Sequence, residues 1–80
     1  MIIGEAIAKR VKTLLKERTM TQYRLEKNSG IQHGTMQYIL KGTNKDIELG
    51  TIMMIARGFN MSFIDFLNDE IFFSEELEIE

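Results

Sequence analysis

The sequence predicts an all-α protein: one small five-helix bundle followed by a short acidic C-terminal tail. Three observations carry this. Apolar residues recur at helical spacing, as at Ile3, Ile7, Val11 and Leu14. The 80 residues contain no proline, the residue that most disrupts helix interiors. The breaks between periodic stretches are short and carry helix-start and helix-stop residues, namely Thr21 and Ser62, and Gly30, Gly42 and Asn60.

The first helix spans roughly residues 2–18, with Lys9, Lys12, Lys16 and Arg18 away from its apolar stripe. Thr21 is a good N-cap for the second, and Met20 can staple to Leu25 across the first turn. Gly30 supplies a positive φ that lets this helix stop and a third start at a steep angle. The third helix should run from about His33 to Leu40, ended by Gly42, with a polar loop over residues 43–46. Leu49, Ile52, Met53, Ala56 and Phe59 mark the fourth, and Asn60 stands where a left-handed residue is expected. Ser62 and Asp65 form a capping pair opening the fifth, with Met61 and Phe66 as its staple. Residues 1–70 form the domain and residues 71–80 an apolar and acidic tail, whose Leu77-Glu78-Ile79-Glu80 end suits a short strand or disorder.

Composition removes several function classes. With no cysteine, disulfides and thiolate metal sites are out, and His33 is the only histidine, with no carboxylates at helical spacing to complete a metal site. No glycine-rich phosphate loop and no nucleophile–base pair is visible, so neither a cofactor nor catalysis is expected. The six methionines stand mostly at core-like spacing and read as packing. No apolar run approaches the roughly 18 residues of a membrane span, and Glu5, Lys9 and Arg10 interrupt any signal peptide. A soluble, cytoplasmic protein is expected. The net charge of −2 hides a division. Residues 1–63 carry all ten Lys and Arg against five acids, and residues 64–80 carry seven acids and no base. A basic body can present a positive face to phosphate despite that total.

In the third helix, His33, Gly34, Gln37, Tyr38 and Lys41 fall within roughly 140° of one side at about 100° per residue. Met36, Ile39 and Leu40 fall opposite, so one face packs while the other offers donors, acceptors and a stacking surface. This suits a helix docked in the DNA major groove, where Gln can pair bidentately with adenine. An ordinary amphipathic surface helix gives the same pattern.

Taken together, Thr21-Gln22, Leu25, Gly30-Ile31, Met36, Ile39, Gly42, Leu49, Ile52, Ala56, Asn60 and Ser62 resemble the phage-repressor and Cro type of helix-turn-helix family, over about residues 4–68. The resemblance implies a repressor-like bundle with the helix-turn-helix at its second and third helices, and a bacterial or phage origin. It implies that His33, Gly34 and Tyr38 read bases, and the exposed face of the third helix adds Gln37 to them. It assigns backbone phosphate to Gln22 and to Lys41, Asn44 and Lys45; Gln32 and Thr35, at the start of the third helix, are the further candidates for phosphate contact. Three residues depart from the family pattern. Gln32 replaces the usual Ser or Thr cap of the third helix, Gly34 offers no side chain at a base-facing site, and Glu26 replaces a small residue between the two helices. A carboxylate there must reach solvent or a cation.

The function expected is that of a transcriptional regulator of the repressor kind, binding double-stranded DNA as a homodimer on a two-fold symmetric operator. Ile64, Leu67, Ile71, Phe72 and Phe73 supply more apolar surface than a short terminal helix can bury and are the expected dimer interface, whereas Phe63 and Phe66 pack inward. Folding of residues 71–73 back onto their own domain is the alternative. The other functional reading is a protein-interaction module, such as an antitoxin whose acidic tail binds a basic partner protein. Salt-dependent duplex binding separates the first from the second.

Overall fold

The computed structural model describes residues 1–78. Its helices are α1 (Ile3–Glu17), α2 (Gln22–Ser29), α3 (His33–Lys41), α4 (Leu49–Gly58) and α5 (Phe63–Leu67), followed by a single 3₁₀ turn, Glu70–Phe72. Local chemistry sets most of the ends. Thr21 Oγ1 accepts from the Arg24 amide at 3.1 Å, and Ser62 Oγ accepts from the Asp65 amide at 3.0 Å. Gly30 and Gly42 close α2 and α3 with φ of 79° and 74°. Thr19 and Asn60 take left-handed backbone just beyond α1 and α4.

One apolar core joins the five helices. Ile7, Val11 and Leu14 of α1 meet Leu25 of α2, Met36 and Ile39 of α3, and Ile52, Ile55 and Ala56 of α4, with Ile31, Phe59 and Phe66 completing the cluster. Full burial of a large apolar side chain contributes about 1.5–3 kcal/mol. Phe59 and Phe66 are the largest wholly buried groups. α1 packs on α3, and α2 packs on α4. The second contact is close because Gly58 has no side chain: a Cβ there would stand 2.7 Å from Leu25 Cδ1 and 2.9 Å from Ser29 Cβ.

The fourth helix departs from expectation on one flank. Leu49 is 59% exposed and Met53 and Met54 are each 38% exposed, so these two methionines are not core. The core stripe of α4 is Ile52, Ile55 and Ala56, continued by Phe59 just past its end; Leu49 and Met53, four apart, lie beside it, where no described element covers them.

The C-terminal segment divides between the two outcomes the sequence left open. Helix α5 lasts only five residues, and Asp69 then accepts from the Ile71 amide at 2.9 Å to start the 3₁₀ turn. Phe72 packs against the core, its ring 6.3 Å from that of Phe66, and Ile71 is half-buried, whereas Phe73 stays 68% exposed. Phe66 goes inward as expected, and Phe63 does so in part. Further on, the Glu78 amide donates to Met1 O at 2.7 Å and Ile2 pairs with Glu78 in one parallel bridge. That bridge is what the described residues hold of the expected tail strand; Ile79 and Glu80 lie outside them.

Candidate nucleic-acid interface

The turn between α2 and α3 is built by three local devices. Gly30 donates its amide to Glu26 O at 2.9 Å while in left-handed backbone, closing α2. Ser29 Oγ then accepts from the Ile31 amide at 3.2 Å, which bends the chain so that Ile31 enters the core. Met36 and Ile39 anchor α3 from below. The residues opposite those anchors, His33, Gly34, Gln37 and Tyr38, are all exposed, and a Cβ at Gly34 would meet nothing. Gln32 begins α3 without a side-chain cap, so its amide remains available to other partners, and Thr35 is likewise exposed.

Glu26, the residue without a role in the sequence reading, stands at the centre of this surface. Its Oε2 accepts from Gln22 Nε2 at 2.8 Å and lies 2.8 Å from His33 Nδ1. His33 Nε2 in turn lies 3.1 Å from Gln37 Nε2. A carboxylate only accepts and an amide nitrogen only donates, so both contacts are satisfied when the imidazole carries its proton on Nδ1. The carboxyl side chain is 11% exposed. The Gln22 amide, helped by His33 and Lys27, holds it below the ordinary glutamate range, against the burial that raises it. The demand for a partner that a half-buried carboxylate makes is therefore met by the two helices themselves. One chain of hydrogen bonds thus brings together Gln22 from the phosphate set and His33 and Gln37 from the base-reading set.

Other members lie apart from that chain. Lys41 and Lys45 are exposed, Lys41 at the end of α3 and Lys45 in the following loop. Asn44 is drawn inward. Its carbonyl accepts from the Gly4 amide at 3.0 Å, and its Oδ1 is buried without a partner among the described residues. Its backbone therefore serves to dock the loop on α1. Lys45 borders a recess shared with Ile3, Asp46, Leu77 and Glu78, which sets a cation of the loop beside the acidic end of the chain.

Tyr23 was missed by the sequence reading. It is 64% exposed, lines a shallow notch with Gln22, Glu26 and His33, and carries Lys27 Nζ 5.2 Å from its ring centroid. Its signal in the sequence was an aromatic next to the glutamine that opens α2, on a face the core does not use. Of the expected dimer residues, Ile64 (77% exposed) and Phe73 border an open groove with Leu67 and Asn68, while Ile71 and Phe72 lie partly inward. Among the described residues no helix is long and apolar enough to cross a membrane.

A short, capped helix, a glycine turn and a second helix with one buried and one polar face define a helix-turn-helix DNA-binding protein. A family model of the Cro/C1-type HTH DNA-binding domain matches residues 10–70, and the chain belongs to that family. No curated protein and no solved structure matched the chain.

Proposed function

We propose that the protein is a sequence-specific transcriptional repressor that binds a two-fold symmetric duplex site as a homodimer. The observation that carries this reading is α3, seated by Met36 and Ile39 and offering His33, Gly34, Gln37 and Tyr38 to solvent on a continuous strip. Gln22 at the start of α2, Lys41 at the end of α3 and Lys45 in the loop that follows flank that strip in the chain and supply phosphate contacts on either side. Base contacts specify and phosphate contacts position. A repressor acts by occupying a promoter, which requires no further chemistry from the chain.

Selection of bound duplexes from a random pool, followed by binding measurements on the selected site, tests this. Alanine at Gln37 or Tyr38 is expected to weaken the selected site by about 1–3 kcal/mol and to relax preference at particular base pairs. Alanine at Lys41 or Lys45 should weaken selected and random duplex alike, and each change should flatten the salt slope by about one unit. Equal losses on both duplexes for Gln37→Ala and Tyr38→Ala would refute base reading by α3.

The dimer rests on the exposed Ile64 and Phe73 beside Leu67, an apolar patch of the kind that marks interfaces. Such a contact would set two copies of α3 about 34 Å apart, one turn of DNA. In sedimentation at tens of micromolar, the wild type should run as a dimer and Ile64→Asp or Phe73→Asp as a monomer. A wild-type monomer would remove the α5 interface from the proposal.

A further inference from the structure

We propose that Glu26 is a positioning residue for base recognition: it fixes the His33 tautomer, and through it the orientation of the Gln37 amide, so that Gln37 selects adenine. This rests on the reading of α3 as the base-contacting helix. Glu26 Oε2, held by Gln22, takes the proton on His33 Nδ1. The imidazole is left with a lone pair on Nε2, which can only accept, and it takes one hydrogen of the Gln37 amide. Gln37 has no other partner among the hydrogen bonds of the described residues and is exposed, so its second amide hydrogen and its Oε1 remain. That pair is complementary to adenine, whose major-groove edge presents N7 as acceptor and the N6 amino group as donor. With the proton on Nε2 instead, the ring would donate to Gln37 Oε1, and the amide would turn its two hydrogens outward. The base offered a match would then present acceptors only, as guanine does with N7 and O6. Glu26 thus acts on specificity without touching a base, and its own negative charge opposes phosphate at the same surface.

Two measurements test this on the intact chain. His33 is the only histidine, so long-range nitrogen–proton correlation spectra report its ring without ambiguity. The free wild type should show the proton on Nδ1, and Glu26→Ala should release the ring to a mixture of tautomers. Glu26→Gln keeps an acceptor at the same place and should retain most of the wild-type tautomer. Binding is then measured on the selected duplex and on duplexes with each base pair changed. Glu26→Ala should lose roughly tenfold or more of the discrimination at the one adenine position that Gln37→Ala also loses, and adding it to Gln37→Ala should cost nothing further there. Both Glu26 variants remove the same charge, so tighter binding to random duplex should be common to both and the loss of discrimination confined to alanine. A wild-type ring with its proton on Nε2, or discrimination unchanged in Glu26→Ala while Gln37→Ala abolishes it, would overturn the positioning role and leave base reading by α3 standing. Failure of the wild type to select any duplex would overturn both.

Discussion

Arg10→Ala is expected to lower the stability of the folded chain by about 2–4 kcal/mol, among the largest effects of any single charged residue. Arg10 leaves α1 with its side chain 10% exposed and forks onto the far end of the chain. Its Nε donates to Phe66 O at 2.8 Å, one terminal nitrogen donates to Asp65 O at 3.0 Å, and the other lies 3.2 Å from Asp69 Oδ2. The guanidinium carbon also stands 5.7 Å from the Phe66 ring centroid. A five-residue helix leaves most of its own carbonyls without intrahelical partners, and Arg10 caps two of them while placing a cation at that helix's negative end. Truncation leaves Phe66 O and Asp69 to find other partners and loosens the seat of Phe66. Thermal unfolding followed by circular dichroism should move down by roughly 10 °C or more. Arg10→Lys should restore only part of this, because a point charge cannot serve three acceptors in a plane. A shift of less than about 2 °C for the alanine variant would show that α5 holds without the fork.

Two glycines at the same position of their helices should respond in opposite ways to alanine. Gly4 and Gly34 are each the second residue of a helix, so the gain in helix propensity, up to about 1 kcal/mol, is common to both. At Gly34 a Cβ meets nothing, and stability should rise by about 0.5–1 kcal/mol. At Gly4 a Cβ would stand 2.2 Å from Asn44 O and 2.7 Å from Asn44 N, and these are backbone atoms that no rotamer change can move aside. The loop must leave α1, and the hydrogen bond from the Gly4 amide to Asn44 O is lost with it. A net destabilisation of about 1–3 kcal/mol is expected from that crowding. Urea midpoints of the two variants should therefore move in opposite directions. DNA affinity should fall further in Gly4→Ala than stability alone explains, since Lys45 travels with the loop. Equal shifts for the two glycines would mean that the 43–46 loop is not seated on α1 as described.

What could be read in the chain and what could not divide by range. Thr21, Ser62, Gly30, Gly42 and Asn60 act on amides and backbone angles within a few residues of themselves, so they place the helix ends in the sequence as they do in the structure. The buried stripe of α1 and the buried Met36 and Ile39 of α3 follow from period alone, because a helix that packs at all must pack its apolar side. Together with the family pattern, this made the helix-turn-helix and its polar strip legible. Period could not say which apolar residues at the edge of a stripe would be covered. Leu49, Met53 and Phe73 are exposed and Phe72 is packed because of where neighbouring elements end, a property of the assembled bundle. Distance in sequence hid the rest. Gly4 meets Asn44, Arg10 reaches residues 65, 66 and 69, and Glu26 crosses a turn to His33, and each pairing depends on angles between helices that no local pattern encodes. Local chemistry thus set most helix ends and the apolar side of each helix, and both were open to reading from the chain. Which polar groups meet was settled by the packing of the helices on one another, because a hydrogen bond of about 3 Å is sensitive to a shift of a few tenths of an ångström that burial of an apolar stripe tolerates.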